Sequence, residues 1–294
     1  NCTYGTTYTT QQNGYTRAYT VTYNGNGGTP AVNSQTASYT FKGWGMNQAS
    51  AVNYSAGKSY SNLTSKANGT VNMYALWNPA SIKLPTATRL GYTFNRWNIG
   101  TAGLNYTPTS NVTAVAQWTP NTYKIVLDGN GGTVNGSDSQ TLSATYDIGT
   151  ALPNPEREGY TFGGWIGEGG VYKEYAKNLT STNGGTVRLT ASWNENSDTP
   201  YKIIRMYQKE EGVEDYESLD KKEACKEEIC YGVTGETITV PAVIVEGYET
   251  PQAQMITIAP DGSSRVIFYY KLAAAEKNAA YSVRHYIKTS PKGS

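Results

Sequence analysis

The chain has 294 residues and a net charge of +1, a length that fits two or three domains and a balance with no global field to draw in nucleic acid or a membrane surface. Its 31 Gly and 25 Tyr, with abundant Thr and only 4 Met, favour many short strands and turns over helices. No apolar run approaches the ~20 residues of a membrane helix, and the polar start at Asn1, with no leader or sorting tail, is expected to make this an internal or mature piece if the parent is secreted.

Residues 1–18 read as an N-terminal segment. Tyr19-Thr20-Val21-Thr22-Tyr23 then alternates with period two, as a half-buried strand does, and Asn24-Gly25 behind it supplies the positive φ of a tight hairpin. Tyr39-Thr40-Phe41-Lys42-Gly43-Trp44 follows and recurs as Tyr92-Thr93-Phe94-Asn95-Arg96-Trp97 and Tyr160-Thr161-Phe162-Gly163-Gly164-Trp165. Each copy is answered by a second landmark: Tyr74-Ala75-Leu76-Trp77, Val115-Ala116-Gln117-Trp118 and Thr190-Ala191-Ser192-Trp193. All six Trp fall on these two landmarks, which chance placement would not produce, so internal repetition is the main signal.

More of the unit repeats. Asn24-Gly25-Asn26-Gly27-Gly28-Thr29 matches Asp128-Gly129-Asn130-Gly131-Gly132-Thr133, the strand Tyr123–Leu127 corresponds to Tyr19–Tyr23, Leu84-Pro85 matches Leu152-Pro153, and Asn62-Leu63-Thr64 matches Asn178-Leu179-Thr180. The middle copy has no Gly-rich opening of its own. Residues 19–119 therefore read as one compound unit and 120–196 as a second. Thr70–Trp77 alternates as a closing strand. Phe41, Trp44, Trp77, Phe94, Trp97, Trp118, Phe162, Trp165 and Trp193 are expected as repeat-core aromatics, one large payload per small unit. Strict alternation puts Phe41 and Trp44 on opposite faces, so either a bulge or a strand end at Gly43 is expected to bring them together.

The Asn-Gly-Gly-Thr opening, the Leu-Pro and Gly-Tyr-Thr-Phe-x-x-Trp middle and the Ala-x-Trp ending resemble the Listeria–Bacteroides repeat, the internalin B-type repeat, over residues 19–193. The resemblance implies small β-grasp-like modules of bacterial surface proteins, arrayed between a binding head and the cell wall. The fold class expected is mainly β with minor helix: tandem small β-grasp-like modules in an extended, beads-on-a-string array.

Composition changes at the polar linker Asn194–Pro200. Residues 1–127 hold no Asp or Glu against eight Lys and Arg, whereas residues 200–294 hold 14 acids and 12 bases. Tyr201–Tyr207 reads as a strand, Leu219–Ile229 as a short helix, Glu236–Pro241 as a strand, and Ser264–Lys271 as a strand behind an Asp261-Gly262 hairpin signal. The opening Ile203-Ile204-Arg205-Met206-Tyr207, Gly235-Glu236, Glu246-Gly247-Tyr248 and the closing Phe268-Tyr269-Tyr270-Lys271 resemble a MucBP (mucin-binding protein) domain, placed at 200–272. Residues 273–294 read as a linker and the first strand of a further module, since Tyr281–Lys288 aligns with Lys202–Lys209.

Little chemistry is legible. His285, in that tail strand, is the only histidine and has no nucleophile or carboxylate pattern around it. Paired carboxylates are impossible before Asp128. Gly57-Lys58-Ser59 lacks the upstream Gly of a phosphate loop, and Gly129–Gly132 lacks the last Gly of a dinucleotide fingerprint. Cys225 and Cys230 are open either to a local disulfide or to remaining two free thiols, with Cys2 left over. No catalytic, cofactor-binding or metal residue is expected.

The expected function is a non-catalytic repeat region of a bacterial surface adhesin, secreted or wall-anchored, serving as stalk and adhesion module. It is expected as a monomer without nucleic acid or membrane insertion, and the MucBP resemblance implies host mucin or another glycoprotein as partner. The alternative from the residues is a carbohydrate-binding module, with exposed Tyr and the acid-free first 127 residues suited to anionic glycans.

Overall fold

A computed structural model describes residues 6–10, 14, 16–49, 51–218 and 228–274. Every regular element among them is a strand. The first group is β1 (Thr7–Thr9), β2 (Arg17–Asn24), β3 (Thr29–Pro30), β4 (Ser34–Gly45), β5 (Ser59–Ser61), β6 (Tyr74–Asn78), β7 (Ile82–Lys83), β8 (Ala87–Thr88), β9 (Tyr92–Trp97), β10 (Asn105–Tyr106) and β11 (Val112–Pro120). The second is β12 (Thr122–Asp128), β13 (Ser139–Thr145), β14 (Thr150–Ala151), β15 (Tyr160–Gly167), β16 (Gly170–Tyr172), β17 (Tyr175–Ala176) and β18 (Thr186–Glu195). The third is β19 (Thr199–Gln208), β20 (Tyr216–Ser218), β21 (Glu228–Gly232), β22 (Thr237–Val240), β23 (Gln254–Thr257) and β24 (Arg265–Tyr270). The mainly-β expectation holds. The expected helix does not begin to appear where it can be seen, because Glu228 and Ile229 pair with β19 as part of β21; residues 219–227 lie outside the described set.

Two compact units partition the chain: residues 1–128, 139–153 and 167–189 form one, and residues 129–138, 154–166 and 190–294 the other. In the first, β6-β4-β2-β11-β9 make a five-stranded sheet in which β2 and β11 run parallel, Val21 opposite Val112, and the other neighbours are antiparallel. β4 is long because it serves two partners. Its first half pairs with β2 and its second half, carrying Phe41 and Trp44, pairs with β6. The alternating inward residues of β2 and β11, Val21, Tyr23, Ala114 and Ala116, bury with Leu84, Ala87 and Trp97 in one core. In the second repeat β13-β12-β18-β15 follow the order of β4-β2-β11-β9, and the fifth strand, β16, lies beside β15 at the edge opposite to that of β6. Within the first unit Tyr123, Ile125 and Leu127 of β12 are buried at alternate positions.

The Asn24-Gly25 signal is displaced. Positive φ falls at Asn26 (48°) and Gly27 (86°), not at Gly25, and the loop to β4 is long enough to carry β3. The tight Asn-Gly turn of the second repeat is instead Val134–Ser137, where Asn135 and Gly136 take φ of 51° and 80° and the two ends exchange backbone hydrogen bonds. The closing strand before Trp77 is also shorter than the alternation suggested, starting at Tyr74.

In the second unit β19 is central to the last module. It pairs antiparallel with β20 and β21 and parallel with β24. The Asp261-Gly262 turn forms, with Gly262 N donating to Ala259 O at 3.1 Å, but it does not close a hairpin. β23 before it pairs with β22, while β24 after it crosses to β19, because Val266, Phe268 and Tyr270 must face the core shared with Ile203, Tyr207 and Val240.

Candidate functional site

The nine landmark aromatics assemble as three triads. Phe41 lies 5.3 Å from Trp44 and 5.6 Å from Trp77; Phe94 lies 5.3 Å from both Trp97 and Trp118; Phe162 lies 5.4 Å from Trp165 and 5.7 Å from Trp193, all edge-to-face. The cause is a β-bulge in each copy. Phe41 opposes Trp77 and Gly43 opposes Leu76, so Lys42 is the extra residue, as are Asn95 and Gly163 in the other copies. One extra residue puts Phe and Trp, three apart, on one face. Gly43 and Gly164 take φ of 147° and 136°, but Arg96 makes the same bulge without a positive φ.

The triads are not equally buried. Trp97 and Trp165 are fully buried, whereas Trp44, Trp77, Trp118, Trp193 and the three Phe are half-buried. Trp97 Nε1 donates to Pro85 O at 2.7 Å, which gives the Leu-Pro landmark a role: Leu84 packs in the core while Pro85 satisfies the indole. Trp118 Nε1 donates to Gly25 O at 2.9 Å and Trp193 Nε1 to Gly129 O at 3.0 Å, so the second Trp of each complete unit is pinned to its Gly-rich turn. A Cβ on Gly28 or Gly132 would collide with that indole. Asn26 Nδ2 and Asn130 Nδ2 tie the same turns to Ala116 O and Ala191 O at 3.1 and 3.0 Å.

Two residues that the sequence reading passed over recur here. Arg89 and Arg157 donate to Asn26 O and Asn130 O at 3.3 Å and lie 3.6 and 4.0 Å above the Tyr92 and Tyr160 rings. The signal was an Arg three residues before the Tyr of both landmarks. Asn62 and Asn178 have φ of 55° and 56°, and Thr64 and Thr180 each accept a backbone N–H two residues on, so the repeated Asn-Leu-Thr is a turn.

Asn121 and Asn196, each three residues after the closing Trp, were also passed over. In the first unit Asn121 N donates to Gly91 O (2.9 Å), Thr93 Oγ1 to Asn121 Oδ1 (2.7 Å) and Tyr146 N to Asn121 O (2.9 Å). In the second unit Asn196 N donates to Gly159 O (3.0 Å), Thr161 Oγ1 to Asn196 Oδ1 (2.7 Å) and Thr234 N to Asn196 O (2.9 Å). The same three bonds thus join the first sheet to the second repeat and the end of that repeat to the last module. Around the first junction Asp147 accepts from Tyr92 Oη (2.8 Å) and Asn178 Nδ2 (2.9 Å), with Lys177 at 3.8 Å. The Asn178 amide, then the Tyr92 hydroxyl, hold the Asp147 carboxyl below its usual range, and donation to Asp147 raises the Tyr92 phenol.

No grouping of three or more His, Cys, Asp or Glu able to hold a metal occurs among the described residues. Cys225 and His285 lie outside them, and Cys230 is a half-buried, unbridged thiol. Two clefts open on the first unit. One, of about 660 Å³, is lined by Arg17, Lys42, Tyr74 and Trp77; the other, about 630 Å³, by Tyr172, Leu179 and Arg188, whose guanidinium pairs with Asp128 at 2.7 Å.

Residues 65–119 and 123–192 each match the Listeria-Bacteroides repeat domain, so these two segments are similar to that repeat. A stretch of 92 residues, 27% of this chain and 10% of the other, is 36% identical to an Evansella cellulosilytica protein described as a Gly-rich membrane protein. The Bacillus anthracis TIE protein aligns over 87% of this chain and 51% of its own, with 11% identity and a TM-score of 0.30. The chain thus corresponds to a tenth of the first relative and half of the second. Among the described residues no helix is long and apolar enough to cross a membrane, which says nothing about membrane β-barrels.

Proposed function

We propose that the chain is a non-catalytic repeat region of a bacterial surface protein, located outside the cell, which holds modules in series as a stalk and presents the last one for adhesion. The observation that carries this reading is the junction made twice with the same three hydrogen bonds, Gly91–Thr93–Asn121 and Gly159–Thr161–Asn196. A repeat that carries its own connector on its closing strand suits a spacer, because each copy fixes the next without any new chemistry. The Listeria-Bacteroides repeats support the surface location. β-grasp modules for the repeats, a MucBP-like domain at 200–272 and a mucin-type host glycoprotein as its partner are the finer parts of the proposal. They rest on the sequence resemblances.

Limited proteolysis and solid-phase mucin binding of the full chain test the two halves separately. Asn121→Ala and Asn196→Ala are expected to open cleavage near residues 119–122 and 194–198 by about tenfold, as loss of the side-chain acceptor for Thr93 or Thr161 loosens a connector. Unchanged cleavage would remove the stalk reading. Full-length protein that ignores immobilised mucin would remove the adhesion reading and leave the stalk.

A further inference from the structure

The three triads serve as controls for one another. In two of them the second indole N–H is taken by a Gly-rich turn, at Gly25 O and Gly129 O. The first copy has no such turn, and Trp77 Nε1 makes no hydrogen bond among the described residues. Nor is it sealed from water: among the described residues the buried side-chain donor left unpaired is Arg205 Nε. The Trp77 ring instead lines the 660 Å³ cleft with Thr16, Arg17, Lys42, Gln48 and Tyr74.

The two cations of that cleft have no ion-pair partner among the described residues, and no carboxylate exists in residues 1–127. Lys42 is the extra residue of the first bulge, so the backbone irregularity that builds the triad also sets this ammonium apart from the ladder. Arg17 is held in place, its Nε donating to Tyr19 Oη at 2.8 Å between the Tyr19 and Tyr39 rings, each 5.4 Å away. That leaves its terminal nitrogens to meet an anion. Tyr74, 39% exposed, adds an accessible ring. The second repeat has neither cation: Asn121 stands at the position of Arg17 and Gly163 at that of Lys42.

We infer that this cleft binds an anionic polysaccharide. Arg17 and Lys42 take the sulfate or carboxylate groups, Trp77 Nε1 donates to a sugar oxygen, and Tyr74 offers a flat apolar face to a pyranose ring. The open, aromatic-flanked shape suits a chain of sugars better than a caged small anion. The inference does not depend on the stalk reading, since it concerns one cleft in one copy.

Calorimetry on the full chain with dextran sulfate, matched neutral dextran, polyphosphate and single-stranded DNA tests it. Dextran sulfate is expected to bind and neutral dextran not to. Lys42→Glu is expected to weaken dextran sulfate about tenfold or more, and Trp77→Phe, which keeps a ring but removes the N–H, about threefold at a temperature where circular dichroism shows it folded. Lys124→Glu makes the same charge change on β12, outside the cleft, and should stay within about twofold of the parent. Equal loss from Lys42→Glu and Lys124→Glu, equal affinity for polyphosphate or DNA, an unaltered Trp77→Phe, or no binding of dextran sulfate would each overturn the inference.

Discussion

The copy at residues 39–80 and the copies ending at Trp118 and Trp193 share one aromatic triad but not its surroundings. The ring separations agree within a few tenths of an ångström across all three. Yet Trp97 and Trp165 are fully buried and Trp44 is not. The first copy also has Ser38 where the others have Gly91 and Gly159, and Ala80 where they have Asn121 and Asn196. The bulge alone therefore sets triad geometry. The Leu-Pro segment and the Gly-rich turn turn that geometry into a sealed core, and the Asn turns a closing strand into a junction.

The largest test of this division is at the first Trp of each triad. Trp97→Ala and Trp165→Ala are expected to cost about 3–5 kcal/mol each in denaturant unfolding, the loss of a fully buried indole plus its cavity. Trp44→Ala should cost less than about 3 kcal/mol because water already reaches the ring. Equal losses at all three sites would mean that the surroundings do not matter and that the triad itself is the unit of stability.

A smaller effect tests the turn. Gly28→Ala and Gly132→Ala place a Cβ against Trp118 and Trp193, and the indole must yield or leave its Gly25 or Gly129 acceptor. Overpacking of this kind is expected to cost about 1–3 kcal/mol, read as a lowered unfolding midpoint. The altered tryptophan emission should come from the second Trp alone. If Trp77, which has no such turn, is the indole that responds, the assignment of turn to Trp fails.

How much of this could be read beforehand follows from the range of each interaction. The landmark aromatics were legible because Trp and Phe are rare and fall at fixed spacing, and the conflict between that spacing and strand alternation called for either a bulge or a strand end at Gly43; their grouping in threes and the extra residue, Lys42, came from the structure. The strand Tyr19–Tyr23 was legible by period two, and Tyr123–Leu127 by its correspondence to it. The junction was not, because Asn121 acts through one side-chain oxygen and its own backbone, and Asn is common in turns for unrelated reasons. The route of β24 was hidden too: Asp261-Gly262 specifies a turn, while the parallel partner β19 is chosen by burial of Phe268 and Tyr270 more than 60 residues away. The Trp77 cleft is a missing element, and a missing turn leaves no motif to find.

The two junctions differ in one further respect, which acid should expose. The bonds at Gly159–Thr161–Asn196 use only hydroxyl, amide and backbone groups, whereas the first junction adds Asp147, facing Asn178, Tyr92, Lys177 and Arg89. The Asp147 carboxyl lies below its unfolded value, so its contribution is present above about pH 4 and is lost as pH falls through the folded value. The Tyr92 phenol is raised, so its share is present below about pH 10 and is lost as pH rises through the folded value. Both groups are exposed and the effect is small. Proteolysis at pH 3 against pH 7 is therefore expected to open the 119–122 connector more than the 194–198 connector, and Asp147→Asn to remove that difference. Equal opening in the parent protein would mean that Asp147 rides on the junction without holding it.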